Sequence, residues 1–170
     1  MRLDFYRTPA AALALLLAGS RPAAADQCFP VRTNISTAYS VSDCTSPVGV
    51  CTTGTLFSPT IGATTRFTAL TVLPGLSPDV LVYSGELVLT FSDGTITIHD
   101  HGLLNSTTAY YFEVQQVVGG TGAYARASGL LTSRGLSTPT GFQGVLSGTI
   151  CNPVPQIAHR AAPPRNYNVP

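Results

Sequence analysis

At 170 residues, 44% hydrophobic and 10% charged, the chain is long enough for one domain with a sizeable core and lies far from the composition of disordered proteins. All nine basic residues are Arg, and with eight acids the formal net charge is +1. That balance excludes electrostatic capture of a polyanion, so no nucleic-acid partner is expected.

Residues 1–25 read as a signal peptide. Arg2 and Arg7 precede an apolar run over 10–18, and Ala23, Ala24 and Ala25 form a small-residue cleavage site before Asp26. The run is too short to span a bilayer, and no later stretch is long and apolar enough to act as a membrane anchor. A secreted or periplasmic protein is therefore expected, carrying a net charge of −1 once the leader is removed.

From there on the signals are those of strands and turns. Residues 31–41 and 52–57 are rich in Thr, Ser, Ile and Tyr, and a Ser-Pro break with Gly62 leads into a third strand over 64–73. In that third strand Phe67, Ala69, Thr71 and Leu73 alternate with Arg66, Thr68, Leu70 and Val72. After the turn 74–78, the run 80–91 puts Leu81, Tyr83, Leu87, Leu89 and Phe91 on one face and Glu86 on the other. Ser92-Asp93-Gly94 is a hairpin signal. The strand 95–101 follows, with Ile96, Ile98 and Asp100 on one face and His99 and His101 on the other. Residues 108–118 place Tyr110, Phe112, Val114, Gln116 and Val118 on one face, taken as the inner one, and Tyr111 and Glu113 on the opposite face. A glycine-dense turn at 119–122, expected to need a positive φ at Gly120, opens a seventh strand over 124–133, and 141–150 is the eighth. Residues 152–170, with five prolines and no long apolar run, read as a flexible tail.

Eight strands at regular spacing predict an all-β domain over 26–151, a single eight-stranded antiparallel closed barrel of calycin-like form. Glycines recurring within the late strands fit the bends of such a barrel. The four cysteines all follow the leader, an even number that in an exported chain points to two disulfides. Three pairings are open. In a closed barrel the last strand runs beside the first, which brings Cys151 to Cys28 and leaves Cys44 to Cys51 across a short loop. A metal site is not expected, because no Cys-x-x-Cys occurs and no His stands near a cysteine in sequence.

The segment 91–98, Phe-Ser-Asp-Gly-Thr-Ile-Thr-Ile, together with 110–129, which contains Val-Gly-Gly-Thr-Gly-Ala-Tyr-Ala-Arg-Ala-Ser-Gly, resembles the allene oxide cyclase and dirigent-like barrel superfamily. Its signature Gly-Gly-[Ser/Thr]-Gly-x-[Phe/Tyr] joins two late strands. The resemblance implies an eight-stranded barrel with an apolar cavity, commonly trimeric, that steers ring closure of a fatty-acid epoxide or radical coupling of phenols. The first strand, 31–41, carries no Asp or Glu, so no catalytic carboxylate of the cyclase type is carried over. The export signal and paired cysteines are similar to bacterial secreted members.

Tyr83, Phe91, Tyr110 and Phe112 would line a pocket if they face inward, or else fill a small barrel. Asp100 shares the face of Ile96 and Ile98. Buried in an apolar cavity it would serve as a general acid or base, and at a rim it would be solvated. His99 and His101 share a face with no third ligand in view, and read as solvent-facing. Glu86 and Glu113 also read as outward, within reach of Arg66 and Arg126. No cofactor is implied: Gly119 to Gly122 leads into no helix and has no Lys, so it is not a phosphate loop. The leading expectation is a disulfide-stabilised barrel that binds or steers a small hydrophobic or phenolic molecule. An isomerase or cyclase, and a structural surface protein with a filled barrel, are the alternatives. An open pocket containing a buried Asp100 would favour the enzyme, and a filled interior would remove both ligand readings.

Overall fold

The computed structural model describes residues 27–151. The leader at 1–25 and the tail at 152–170 lie outside the described residues. Eight strands follow one another: β1 (Cys28–Tyr39), β2 (Cys51–Phe57), β3 (Gly62–Pro74), β4 (Val80–Phe91), β5 (Gly94–Asn105), β6 (Tyr110–Gly120), β7 (Ser128–Thr138) and β8 (Gly141–Cys151). Each pairs antiparallel with its sequence neighbours, and β1 pairs with β8 from Cys28↔Cys151 to Ala38↔Gly141, which closes the barrel.

Short connections drive this up-and-down order. Ser92 and Asp93 alone join β4 to β5, with Gly94 at φ 153°, a region open to glycine and strained for other residues. The predicted disulfides both form. Cys28 and Cys151 stand opposite each other in register on the closing strands, and Cys44 pairs with Cys51 within the β1–β2 connection. Two disulfides fit an oxidising compartment. Among the described residues no helix is long and apolar enough to cross a membrane.

Three local expectations are corrected. The stretch predicted to begin a strand at Tyr124 is instead a 3-10 turn, Gly122–Tyr124, and β7 starts at Ser128. The turn drops Tyr124 into the barrel end, where its ring lies 4.7 Å from that of Phe91. The glycine that needs a positive φ before this turn is Gly119, at 143°, followed by Gly122 at 56°. Gly120 is required for space, because a Cβ there would meet the Thr95 carbonyl oxygen. In β3 the register shifts between Ala69 and Thr71, so Leu70 is an extra residue and the alternation reverses after it. Val72 thereby turns inward and Leu73 outward, opposite to the uninterrupted pattern.

The core divides the barrel lengthwise. Val31, Leu56, Leu89, Ile96, Ile98, Val117, Leu131, Leu146 and Ile150 pack with Tyr124 and Ala127. They close the end that carries the Cys28–Cys151 disulfide. The β4–β5 turn seals the same end, since Asp93 O accepts from Ala123 N at 3.0 Å and Thr95 O from Thr121 N at 2.9 Å. The opposite end is hollow.

Candidate functional site

A cavity of about 190 Å³ occupies the hollow end. Its mouth lies among the β1–β2, β3–β4, β5–β6 and β7–β8 connections. Apolar and aromatic side chains, including Ile35, Phe67, Leu87 and Phe142, form most of its wall. One flank is polar, and three strands build it.

On β5, Asp100 follows Ile96 and Ile98 along the inward face and is 1% exposed. Directly opposite on β6 stands Gln115, 0% exposed, whose Nε2 donates to Asp100 Oδ2 at 2.9 Å and to Glu113 Oε2 at 3.1 Å. From β4 the Tyr83 hydroxyl donates to Glu113 Oε1 at 2.7 Å. That reach spans the whole width of β5, and Gly102 permits it. Gly102 pairs with both Tyr83 and Glu113, and a Cβ on it would lie 2.6 Å from the Tyr83 hydroxyl. Behind this row the buried Tyr111 hydroxyl and Ser133 Oγ share a hydrogen bond of 3.2 Å.

The electrostatics follow from burial. Asp100 is pushed up to about 8, first by desolvation and then by the Glu113 charge, against the pull of the Gln115 hydrogen bond. Glu113 is also raised by desolvation, opposed by hydrogen bonds from Tyr83 and Ser133. Tyr83 is raised far above the ordinary phenol range by burial and then by Glu113, so it stays a donor. Burial also pushes Tyr111 up to about 12. Two carboxyls side by side in one poorly solvated site cannot both ionise cheaply, and the donors favour ionisation of one over the other. Glu113 has the hydroxyl and amide donors and is the easier of the two to ionise, whereas Asp100, with one amide donor, holds its proton more tightly.

Of the four aromatic residues expected to line a pocket, Tyr83 does so. Phe91 is at the plugged end against Tyr124. Tyr110 is exposed on the outer face of β6, and Phe112 shares that face. The inner and outer faces of β6 are thus exchanged relative to expectation, and Glu113 lies inside, out of reach of the surface arginines. The physical cause is that β6 turns its more apolar face, with Phe112, Val114 and Val118, to the outside, and its polar residues line the cavity. Hydrophobic alternation alone points the wrong way there. The available signal was the pairing of β6 with β5, whose inward Asp100 fixes the phase of Gln115 and hence of Glu113 and Tyr111. Asp100 is on the inner face as expected, and His99 and His101 are exposed on the outer one. Glu86 is exposed, and Arg66 donates to the Asp43 carbonyl.

Among the described residues no group of three or more His, Cys, Asp or Glu could hold a metal ion. The arrangement offers instead a hydrogen-bonding and proton-transfer site at the side of an apolar pocket. Comparison with protein-family models, with curated proteins and with solved structures returns no match.

Proposed function

We propose that this is a secreted barrel that takes up a small, mainly apolar molecule and holds its one polar group against Asp100, Gln115 and Glu113. The observation that carries the reading is the combination of a hollow end with a buried carboxyl whose Oδ1 has no partner among the described residues. Buried polar atoms are almost always satisfied, so an orphan facing a cavity is matched by what enters the cavity. At about 190 Å³ the space lies below the roughly 300–1,000 Å³ of pockets for drug-sized ligands, which restricts the guest to a compact molecule. The likeness of residues 119–129 to the allene oxide cyclase and dirigent-like superfamily supports the same reading. It also brings trimerisation, for which the outer row Leu73, Val82, Leu103 and Phe112, contiguous in register, is a suitable surface.

Native mass spectrometry of the exported protein tests uptake and subunit number together. A retained small organic mass is expected, reduced or lost in Val72→Trp, which fills the mouth. A bare barrel that also fails to bind 2-phenylethanol overturns the proposal.

A second reading, an isomerase or cyclase, is favoured by the open pocket with Asp100 buried in its wall and by the unequal donor sets of its two carboxyls. Asp100 as acid and Glu113 as base is the kind of pair that moves a proton within one substrate. Deuterium uptake from D2O at the carbon α to the carbonyl of phenylacetone, abolished in Asp100→Asn, is the expected sign. Exchange no faster than in buffer removes this reading and leaves uptake untouched.

A further inference from the structure

We propose that the guest is a small organic monocation, an apolar body ending in a protonated amine, seated with its ammonium group against Asp100, Gln115 and Glu113. This rests on the uptake reading above and names the chemistry of the guest. Three independent features point the same way.

The first is charge. Two carboxyls line the cavity, and among the described residues no Arg or His lines it. The donors around Glu113 are neutral groups, so a charge on either carboxyl finds no counter-ion in this poorly solvated site. A buried charge in that position is matched by a cation far better than by a neutral group.

The second is the surplus of acceptors. Gln115 Oε1 and Asp100 Oδ1, on residues directly opposite each other across β5 and β6, are both buried without a partner among the described residues, and Oδ1 becomes a free acceptor once the carboxyl gives up its proton. The orientation of the Gln115 amide is fixed by its two neighbours: both carboxylates need its N–H groups, so the oxygen is left over. An ammonium brings three donors and no acceptor. A carboxylate or phosphate would bring acceptors to acceptors.

The third is the aromatic wall. The rings of Phe67 and Tyr83 meet edge to face at 6.2 Å, and those of Tyr111 and Phe142 at 5.4 Å. Ring faces attract an organic cation and also cover an apolar body.

Proton movement follows from the same geometry. The titratable groups facing Asp100 are Glu113 and Tyr111 on β6 and Tyr83 on β4, while His99 and His101 beside it in sequence point outward. An ammonium N–H placed on Asp100 Oδ1 displaces the carboxyl proton, which leaves to solvent. Binding therefore releases a proton at pH 7 and none at pH 9, where Asp100 is already ionised.

Isothermal titration of the exported protein with phenethylamine, 2-phenylethanol and 3-phenylpropionate tests this. Phenethylamine is expected to bind at least about ten-fold tighter than the alcohol, the worth of one charge-assisted hydrogen bond. The carboxylate is expected not to bind. At pH 7 the heat should vary with the ionisation enthalpy of the buffer, reporting proton release, and at pH 9 it should not. Asp100→Asn should weaken the amine about ten-fold more than the alcohol, and Gln115→Leu should act in the same direction if the first variant does not fold. Equal or tighter binding of the alcohol overturns the cation and leaves uptake standing. Binding of the carboxylate overturns it as well, and binding of none of the three overturns both proposals.

Discussion

At the plugged end of the barrel the fully enclosed side chains are Leu89, Ile96, Ile98, Leu131 and Leu146; in the hollow half the equally enclosed ones are Tyr111, Asp100, Gln115 and Ser133, each with a polar group. The same eight strands supply both sets, and the inward positions simply change character partway along. Each large aliphatic side chain buried at the plugged end contributes about 1.5–3 kcal/mol. Each polar group at the hollow end costs free energy unless its partners are complete, and those of Asp100 and Gln115 are not. Stability is thus concentrated in one half, which lets the other hold groups that a uniformly packed barrel would reject. Even the disulfides divide this way. Cys28–Cys151 staples the plugged end, while Cys44–Cys51 braces the loop at the mouth, where Ser46 Oγ donates to Ala69 O at 2.6 Å and accepts from Val50 N at 3.1 Å.

The contrast is tested most severely at Gly120. A side chain there meets the Thr95 backbone oxygen, which cannot move without opening the seal between the β4–β5 hairpin and the turn 122–124. Gly120→Val is expected to cost at least about 3 kcal/mol and to leave little folded protein. A near-native melting curve would show that the seal does not hold the plugged end together.

Next come the disulfides. In the chain-entropy account, the bridge over 123 residues stabilises by about 5 kcal/mol and the one over seven by about 2.5 kcal/mol. Replacing Cys28 and Cys151 together by Ser should therefore lower the denaturation midpoint about twice as far as replacing Cys44 and Cys51. Equal losses would mean that the mouth loop matters to global stability as much as strand closure does.

Legibility in the sequence follows the same division. Strand number, antiparallel order and both disulfides are readable because short turns such as Ser92-Asp93 leave neighbouring strands no other partner, and closure then fixes the cysteines. On β4 the inward set Leu81, Tyr83, Leu87 and Leu89 is readable because its outer face carries Glu86. On β6 it is not, since Phe112 and Val114 face out while Glu113 and Gln115 face in, so polarity misreports the phase. The bulge at Leu70 and the 3-10 turn at Gly122–Tyr124 are equally opaque, because each is set by a partner strand or hairpin distant in sequence. The site was therefore half visible: Asp100 and Tyr83 could be named, but not Glu113, Gln115 and Gly102, which give them their chemistry.

Smaller effects are expected at the hollow end, and pH exposes them. Asp100 has a folded value of about 8, above its unfolded one near 4, and Glu113 is raised as well. Between the two Asp100 values the folded chain binds more protons than the unfolded chain, so the Asp100 contribution to stability falls as pH rises from about 4 to about 8 and levels off above. Asn at position 100 mimics the protonated carboxyl and cannot ionise. Asp100→Asn should therefore match the wild type near pH 3 and exceed it by a few kcal/mol at pH 9, as read by urea midpoints at both values. A variant less stable than wild type at pH 9 would mean that the Asp100 anion has a favourable partner.

The smallest change expected is at Tyr83. Tyr83→Phe keeps the ring over Gly102 and removes one of the hydrogen bonds that favour the Glu113 anion. Loss of a bond to a charged group in this partly enclosed setting is expected to cost about 1.5–3 kcal/mol where the partner is left unpaired. Here Gln115 still donates to Glu113, and the hollow end admits solvent, so about 1 kcal/mol is expected. The more telling consequence is electrostatic. With a donor gone, Glu113 competes more strongly for the shared proton, and Asp100 ionises at lower pH than in the wild type. Carboxyl titration followed by NMR should show the two groups moving in opposite directions. If both shift the same way, Tyr83 acts by shielding the pair from water and not by choosing which member carries the charge.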